Sequence, residues 1–495
     1  MGKNVGKPPR GSGGRALKVA FAAAEAAPFV KTGGLADVAG SLPRALSALG
    51  CDVVVILPLY GSIDRTGLVA TDLEFRVNVG TRSYMGEVFK GRLDEKTPVY
   101  FIYQGELFAR PNPYGDQNGD YPDNDARFIF FSLGVLELLR RLEFKADVIH
   151  ANDWHLGLLP VFLKNVPKGD FLQGARSVLS LHNLAYQGLF PPESFRLTGL
   201  PENLFSADGV EMYGRLAFLK SGILFADMLA TVSPSYAKEM LSPELGFGLG
   251  DVLKTRKSRL AGILNGIDAD EWDPRTDRHL PAVYGAGDLV GKAICRAELL
   301  RRAGFERDDG RPVLTVVSRL IEQKGFDMVA DAAEEMMRLN LFLVVLGGGQ
   351  KKYEDFFTGL MAGHPDKVFA HIGYDESLAH LLEAGGDLFL MPSLFEPCGL
   401  NQMFSMLYGT PPIVRATGGL KDSVEDWKPS SKKGTGFVFK GRDAASLLSA
   451  LKRGLRAFED KNGWLTLVRN GMRKDFSWRV SARLYKELYE KIAAK

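Results

Sequence analysis

The second half of the sequence alternates short apolar segments with amphipathic ones, and this order constrains the fold more than any other feature. Each apolar segment has the length of a buried strand and is followed by a loop and a segment with helical spacing. The apolar segments are 313–317, 341–346, 368–372, 387–391 and 412–414. Strands joined through helices run parallel, so the order predicts a doubly wound nucleotide-binding domain of α/β class.

The first half begins in the same way. An apolar segment at 17–24 is followed by the loop sequence KTGGL, a helix-like segment ending at Gly50, and a second apolar segment at 52–57. Later apolar segments at 146–151, 177–181 and 228–232 continue the pattern. Because 270–288 is rich in charge, proline and glycine, we predict a linker there. The predicted divisions are a tail at 1–15, a Rossmann-like domain at 16–260, a second one at 261–475 and a terminal helical segment at 476–495.

Composition excludes several classes of function. Lys and Arg number 62 against 59 Asp and Glu, a near balance that gives no support for a nucleic-acid partner. The longest apolar stretch is too short to span a bilayer, so no membrane partner is expected. The three cysteines have no metal-ligand or redox spacing, which favours a reducing compartment. The first 15 residues lack the apolar core of a signal peptide and predict a solvated tail.

One carboxylate, Glu396, lies in the loop after the apolar segment 387–391 and before a helix-like segment. In open α/β sheets, ligands bind at the carboxyl ends of the strands, and the helix that follows directs its unpaired N–H groups toward an anion there. Glu396 is therefore predicted to lie beside an anion site. The alternative is that it caps the helix or pairs with a surface arginine.

Two glycine loops echo each other, TGGLAD at 32–37 and TGGLKD at 417–422. Paired glycines before a helix let backbone N–H groups approach an anion closely, so one loop in each half suggests a diphosphate held between two domains. Two ordinary tight turns are the alternative. Three basic residues lie near predicted strand ends: Lys31 beside the first glycine loop, and Arg319 and Lys324 after the segment 313–317. Together they could neutralise two phosphates, although each could also be a solvated surface charge.

Polar groups also follow two strands of the first half. Asp153 and Trp154 come after the segment 146–151, and His182 and Asn183 come after 177–181. We expect both sets to face one crevice, with Trp154 as a hydrophobic platform. His150 and His155 straddle a strand end rather than sharing a helix face, so a metal site is disfavoured. Tyr374 ends another strand, where its ring could support a purine or belong to the core.

Two nucleotide motifs are absent from the sequence. No G-x-G-x-x-G follows the first strand of either half, which argues against a dinucleotide oxidoreductase, and no Walker loop is present. Leaving-group cations without a Walker loop suggest that a diphosphate departs whole and that the group attached to it is transferred.

Seven motifs, in order, carry a resemblance to a known family: KTGGLADV, HANDWH, LHNLAYQG, SRLIEQKG, FEPCGL, ATGGLKDSV and the closing FSW…SA…Y…LY. The chain resembles the bacterial-type glycogen synthases, close kin of the plant starch synthases, from Lys18 to its end. The resemblance implies two Rossmann-like domains facing across a cleft, the GT-B type, with the terminal helix crossing back to the first domain. It also implies transfer of glucose from ADP-glucose to the non-reducing end of an α-1,4-glucan with retention and without a metal or other cofactor.

The resemblance assigns roles residue by residue. The implied catalytic set is Glu396, His182, Arg319 and Lys324; the implied donor contacts are Lys31, Gly33, Gly34, Asn183, Tyr374, Leu400 and Asn401, with Arg319 and Lys324 shared; the implied acceptor contacts are Asp37, Asp153, Trp154 and Asn265. The implied setting is the cytoplasm, or the plastid stroma for a mature plant or algal chain, with a monomer or small homo-oligomer.

Two positions depart from the family pattern. Asn401 stands where threonine is common, and Lys421 where alanine is common. Either could change the phosphate contacts, so UDP-glucose stays open as the donor. A non-catalytic glucan-binding protein is the other alternative, but such a protein would be expected to lose Glu396, Arg319 or Lys324.

Overall fold

The structure is a computed structural model that describes residues 15–305 and 308–494. The predicted tail at 1–15 lies outside the described residues except for its last position. No helix in the described part of the chain is both long enough and apolar enough to span a lipid bilayer.

The first domain is built on a large sheet flanked by helices. Its strands are β1 (Lys18–Ala22), β2 (Asp52–Pro58), β3 (Val69–Val79), β4 (Arg82–Arg92), β5 (Pro98–Tyr103), β6 (Gly115–Asp116), β7 (Gly119–Asp120), β8 (Val148–Asn152), β9 (Arg176–Leu181), β10 (Leu189–Phe190), β11 (Glu211–Met212), β12 (Arg215–Ala217), β13 (Met228–Thr231) and β14 (Leu260–Gly262). Its helices are α1 (Gly34–Ala48), α2 (Gly105–Phe108), α3 (Asn124–Arg141), α4 (Leu159–Lys164), α5 (Phe218–Phe225), α6 (Pro234–Glu239) and α7 (Gly250–Thr255).

The order of strands in this sheet is β14-β13-β9-β8-β1-β2-β5-β4-β3. The chain runs outward from β1 through β2 to β5, then returns to β8 on the other side of β1 and continues outward to β14. Neighbours from β5 to β14 pair in parallel. The order therefore reverses between β1 and β8, and the loops after these two strands open onto the crevice where such sheets bind ligands.

An antiparallel hairpin, β3–β4, extends the sheet beyond β5. Along β3 the side chains alternate between exposed and buried from Phe75 onward, as expected for a strand with one solvated face. Such alternation is typical of an antiparallel hairpin and not of a βαβ unit. The sequence-based prediction of a parallel sheet in the first half did not include this hairpin.

The second domain repeats the layered arrangement. Its elements are α8 (Val290–Arg302), β15 (Val313–Val317), α9 (Phe326–Arg338), β16 (Phe342–Gly347), α10 (Lys351–Gly363), β17 (Val368–Ile372), α11 (Glu376–Gly385), β18 (Leu388–Met391), α12 (Asn401–Leu407), β19 (Pro412–Arg415), α13 (Gly418–Ser423), β20 (Phe437–Phe439), α14 (Ala444–Glu459), α15 (Lys461–Met472) and α16 (Trp478–Ala493). The five predicted strands form, and β20 adds a sixth. The sheet order is β17-β16-β15-β18-β19-β20, so the reversal lies between β15 and β18.

The predicted boundary between residues 260 and 261 falls inside β14. This strand pairs in parallel with β13, from Leu229 opposite Leu260 to Thr231 opposite Gly262, and so belongs to the first sheet. The first domain therefore extends at least to Gly262. The sequence did not reveal β14 because a three-residue strand at a sheet edge carries almost no periodic signal.

The last helix, α16, crosses back to the first domain, as predicted. The hydroxyl of Tyr489 lies 2.6 Å from Nδ1 of the buried His150 on β8. Lys486 Nζ donates to the carbonyl of Leu49 over 2.8 Å. The apolar face of α16 joins the core of the first domain through Tyr485, Leu488 and Ile492 among others. The chain thus passes between the domains twice.

Candidate active site

The second domain presents Glu396 and two cations at the reversal point of its sheet. Arg319 follows β15, Glu396 follows the neighbouring β18, and Lys324 ends a one-turn 3-10 helix, Glu322–Lys324. Lys324 Nζ donates to Glu396 Oε2 over 2.6 Å, and Ser393 Oγ donates to the same oxygen over 3.0 Å. The side chains of Lys324 and Glu396 are only 14% and 9% exposed. The structure therefore joins two of the predicted catalytic residues in one buried ion pair.

Two glycines allow the backbone to fit closely around this pair. Gly325 has a φ of +76°, and a Cβ there would lie 2.1 Å from the carbonyl oxygen of Pro392. Gly418 has a φ of +41°, and a Cβ there would lie 2.0 Å from the carbonyl oxygen of Glu396. Both conformations lie in the left-handed region that favours glycine. Both glycines therefore let the backbone pack directly against the loop that carries Glu396.

Arg319 and Asn401 differ in how they are held. The exposed Arg319 guanidinium has no ion pair or side-chain hydrogen bond within residues 15–305 and 308–494. Asn401 Nδ2 donates to the carbonyl of Val317, at the end of β15, over 3.0 Å. The Asn401 carboxamide is thus tied to the sheet, while Leu400 and Asn401 start α12 and place their backbone at its N-terminus.

In the first domain, the loop after β1 gathers a second polar group. Lys31 Nζ donates to Asp37 Oδ1 over 2.6 Å. The buried Glu25 carboxylate accepts the Thr32 N–H over 2.6 Å and the Thr32 hydroxyl as well. Gly34 opens α1, and an added Cβ there would meet no atom within 4 Å, so the space beside the Gly33–Gly34 turn is open.

Burial governs the ionisation of this group. Burial raises the pKa of Glu25, although the hydrogen bonds from Thr32 oppose the shift. Burial likewise raises the pKa of Asp37 against the pull of Lys31. For Lys31, burial opposes the charged form, but Asp37 outweighs it and the pKa of Lys31 rises. Lys31 stays cationic at neutral pH.

The loops after β8 and β9 bring together Asp153 and His182, as predicted. Asp153 accepts the backbone N–H of His182 over 2.8 Å, and His182 Nε2 lies 3.0 Å from Asn152 Oδ1. Burial lowers the pKa of His182 to about 4 and raises that of Asp153 to about 7. His182 is therefore a neutral hydrogen-bonding group at pH 7. The Asn183 carboxamide accepts the N–H of Ala185 over 3.0 Å, which fixes the turn.

Trp154 is part of an aromatic cluster beneath this loop. Its ring stacks on His155 with centroids 4.0 Å apart and meets Phe128 edge-on at 5.1 Å. The platform is therefore half-buried and rigid. The metal alternative for His150 and His155 finds no support in their surroundings, since His150 lies between Tyr489 and Ser180 and His155 is enclosed by aromatic rings.

Two predicted residues lie where the domains meet. Tyr374 is 84% exposed and lies near enough to Lys31 of the first domain for their charges to interact. Asn265 is buried beside Cys398, where burial raises the pKa of the thiol and the backbone of Asn265 opposes the shift. Asn265 belongs to the segment that passes from the first domain to the second, and Cys398 lies two residues after Glu396. The connection between the domains therefore runs next to the Glu396 loop.

The second glycine loop does not face open space in this structure. Glu239 on α6 of the first domain accepts the Gly418 N–H over 2.9 Å and the Thr417 hydroxyl over 3.2 Å. Asp422, at the other end of α13, accepts the N–H and the hydroxyl of Ser235, each over 2.7 Å. A carboxylate of the protein thus occupies the position where the sequence pattern suggested a phosphate, and this loop joins the domains.

Sequence reasoning missed three residues of these groups: Glu25, Ser393 and Glu239. Glu25 had a signal, because it is a lone charge in the apolar sequence AAAEAAP directly after a strand. Ser393 is a short polar residue three positions before the predicted Glu396. No sequence signal marked Glu239, because it lies 179 residues before its partner Gly418.

Two Rossmann-like domains with polar strand ends facing one another form the architecture of the GT-B class of glycosyltransferases. Known proteins agree. The family described as "Starch synthase catalytic domain" matches residues 18–255, and "Glycosyl transferases group 1" matches residues 300–462. The glycogen synthase of Anaeromyxobacter dehalogenans strain 2CP-C is 46% identical over 96% of this chain and 100% of its own. That of Myxococcus xanthus is 45% identical over 97% and 100%.

The solved catalytic domain of Arabidopsis thaliana starch synthase IV, bound to ADP and acarbose, superimposes with a TM-score of 0.90 at 34% identity, over 97% of this chain and 100% of that one. Sucrose-phosphate synthase from Thermosynechococcus elongatus shares the fold alone, with a TM-score of 0.60 at 17% identity. The chain belongs to the glycogen and starch synthase family and is a glucosyltransferase.

Proposed function

We propose that the protein transfers glucose from ADP-glucose to the non-reducing end of an α-1,4-glucan with retention of configuration. The buried Lys324–Glu396 pair carries the proposal, because it places a cation and a carboxylate together at the ligand-binding edge of the second sheet. The relative solved with ADP and acarbose supports an adenine donor and a glucan-like acceptor. We expect the reaction to take place in the cytoplasm, or in the stroma of a plastid, and the protein to act as a monomer or a small homo-oligomer.

The donor diphosphate would be neutralised by Arg319 and Lys324. Among the described residues, Lys324 Nζ spends one of its three N–H groups on Glu396, which leaves two for phosphate oxygens. Lys31, the open Gly33–Gly34 turn and the backbone amides of Leu400 and Asn401 would add donors. Tyr374, mostly exposed at the cleft, would stack on the adenine.

The transferred sugar would lie between the two domains. His182 and Asn183 would form hydrogen bonds with its hydroxyl groups. The imidazole of His182, with a pKa of about 4, is uncharged at pH 7 and can act as a neutral hydrogen-bonding group. Asp37, Asp153, Trp154 and Asn265 would line the acceptor side. ADP-glucose serves as a co-substrate, and none of the proposed steps is assigned to a metal.

With retention of configuration, the new bond to C1 lies on the face from which the diphosphate leaves. A retaining glycosidase uses two carboxyl groups about 5 Å apart, whereas the Glu396 carboxylate is tied to Lys324 and Ser393. We therefore assign Glu396 to orientation and charge stabilisation of the oxocarbenium-like centre. The bond from C1 to the phosphate oxygen breaks, the acceptor oxygen bonds to C1 on the same face, and the departing phosphate takes the proton of the acceptor hydroxyl.

The donor assignment is tested with labelled ADP-glucose and UDP-glucose, each with and without glycogen. We expect label in polymer only from ADP-glucose and only with glycogen present. Equal incorporation from UDP-glucose would leave the transferase assignment intact and overturn the donor assignment. Release of labelled glucose without any incorporation would overturn the transferase assignment itself.

The role of Glu396 is tested by Glu396→Gln. We expect kcat to fall by several orders of magnitude while the Kd for ADP changes little, because the residue acts on the stranded sugar and not on the diphosphate. Glu322→Gln, two residues from Lys324 and exposed, is the matched control and should keep full activity. Loss of ADP affinity in Glu396→Gln, or a glucosyl adduct trapped on Glu396, would contradict the assignment.

A further inference from the structure

A second cluster of ligand-type side chains lies beside α11, outside the groups described above. It comprises His279, Glu376 and His380, and one nitrogen or oxygen of each lies within 4.8 Å of those of the other two. His380 is fully buried, His279 is partly exposed and Glu376 is exposed. The cluster therefore has a buried base and an opening to solvent.

Asp277 fixes the ring of His380. Nδ1 of His380 lies 2.7 Å from Asp277 Oδ2, which also accepts the Tyr408 hydroxyl over 2.5 Å. A carboxylate that accepts two hydrogen bonds keeps the proton on Nδ1, so the lone pair of His380 is on Nε2. A histidine that donates one N–H to a carboxylate and offers the other nitrogen is the usual arrangement of a metal ligand.

Nε2 of His380 is buried and has no hydrogen-bond partner in the described part of the chain. Leaving a buried polar atom unpaired costs about 1–3 kcal/mol, so an atom of this kind calls for a partner. The ring cannot turn away to find one, because Trp272 stacks on its face with centroids 3.8 Å apart and planes 9° apart.

The other two residues are placed to complete a site. Glu376 and His380 are four residues apart on α11 and so share a face of the helix. The ring of His279 lies 4.5 Å from that of His380, and the backbone N–H of His279 donates to Asp277 Oδ1 over 2.8 Å. Asp277 therefore orients the ring of His380 and holds the backbone of His279 beside it. Two ligands on one tetrahedral zinc ion are roughly 3.4 Å apart, a separation that rotation of the more exposed His279 and Glu376 side chains can reach.

We propose that His279, Glu376 and His380 bind one divalent transition-metal ion of the zinc type, with water as the fourth ligand. Two imidazoles and one carboxylate suit zinc and disfavour magnesium or calcium, which prefer all-oxygen ligands. The ion would fix the N-terminus of α11, two residues after Tyr374. It would be structural or regulatory, since it takes no part in the transfer, and the proposal is independent of the donor and acceptor assignments.

The test uses zinc chloride alone as the probe. Purified protein stripped with a chelator is incubated with zinc, passed through a desalting column and assayed for bound metal by mass spectrometry. We expect about one zinc per chain. His279→Ala and Glu376→Gln should each weaken zinc affinity by at least the roughly 10- to 100-fold that loss of an outer-sphere partner costs. Both positions face solvent more than His380, so the variants are expected to fold.

Cobalt gives a second readout that does not depend on activity. Cobalt(II) in a tetrahedral site shows visible d–d bands that a loosely bound surface ion lacks, and these bands should be lost in Glu376→Gln. His364→Ala, at a partly exposed histidine outside the cluster, is the matched control and should bind zinc as the unaltered chain does. No retained zinc, or equal zinc affinity in His279→Ala, Glu376→Gln and the unaltered chain, would overturn the proposal.

Discussion

Single residues determine how tightly the Glu396 loop is held, and Gly418 is the clearest case. Its φ is positive, and a Cβ added there would lie 2.0 Å from the Glu396 carbonyl oxygen, so no side chain fits. A left-handed conformation costs a non-glycine residue about 1–2 kcal/mol, and overpacking against backbone adds about 1–3 kcal/mol. The glycine repeat that suggested a phosphate loop is thus needed for packing at its second copy.

We expect Gly418→Ala to lower the free energy of unfolding by roughly 2–5 kcal/mol and to lower kcat, because the clash displaces the Glu396 backbone. Denaturant unfolding and steady-state kinetics measure the two effects. Gly359→Ala is the control, since Gly359 lies inside α10 with open space around it and should gain about 0.8–1 kcal/mol. Full stability and activity in Gly418→Ala would show that the loop can move.

The pH dependence of stability at His150 is a further prediction at this scale. Burial lowers the pKa of His150 to about 3, below its ordinary value of 6.5. Between these values the unfolded chain binds the proton and the folded chain does not, so the contribution of this group is complete above pH 6.5 and is lost as the pH falls. From pH 7 to pH 5, unaltered protein should lose about 2 kcal/mol more stability than His150→Gln. Urea unfolding at the two pH values measures the loss of stability in each protein. An equal loss in the unaltered protein and in His150→Gln would contradict the lowered pKa of His150.

At the scale of elements, the sequence predicts the second domain better than the first. The strands of the second domain are buried on both faces, so each appears as a continuous apolar segment, and alternation with helices is unambiguous. The hairpin β3–β4 has one solvated face, and β14 has three residues, so neither gives that signal. Partners far apart in sequence were also beyond prediction, as for Glu239 with Gly418, which are 179 residues apart.

Element α16 fastens the end of the chain to β8, and the hydrogen bond from Tyr489 to His150 is its buried polar contact. We expect Tyr489→Phe to lower the free energy of unfolding by about 1–3 kcal/mol, because Nδ1 of His150 is left unpaired. Tyr60→Phe is the control, since the buried Tyr60 hydroxyl has no partner among the described residues. That control should be neutral or slightly stabilising. Denaturant unfolding measures both variants. If their free energies of unfolding changed equally, the Tyr489–His150 hydrogen bond would make no net contribution to stability.

On the scale of the whole molecule, the two domains are fastened along one edge. Ser233 Oγ donates to the Pro397 carbonyl over 2.7 Å, and α6 contacts α13 through Glu239 and Asp422. The core of the first domain continues here into Leu420 and Val424 of the second. Both chain crossings lie side by side, with the N–H of Ile267 donating to the Phe476 carbonyl over 2.9 Å.

The region of Lys31 and Tyr374, where residues of the two domains also come near each other, carries exposed and charged groups instead of an apolar contact. A molecule fastened along one edge can open and close about that edge, which acts as the pivot. Sealing glucose from water before the phosphate bond breaks requires such closure. We therefore expect ADP to lower the radius of gyration in small-angle scattering, and identical dimensions with and without ADP would contradict closure.

The pivot itself is tested by comparing two glutamates of the first domain that contact the second. Glu239 satisfies two groups at the start of α13, whereas Glu244 forms an exposed ion pair with Arg442. Loss of partners for the backbone amide of Gly418 is costly, while an exposed ion pair contributes roughly 0–1 kcal/mol. Glu239→Ala should therefore enlarge the ligand-free molecule, weaken the compaction by ADP and reduce kcat, because the Gly418 loop supports Glu396. Glu244→Ala should change none of the three, and if both variants behave alike the pivot lies elsewhere along the interface.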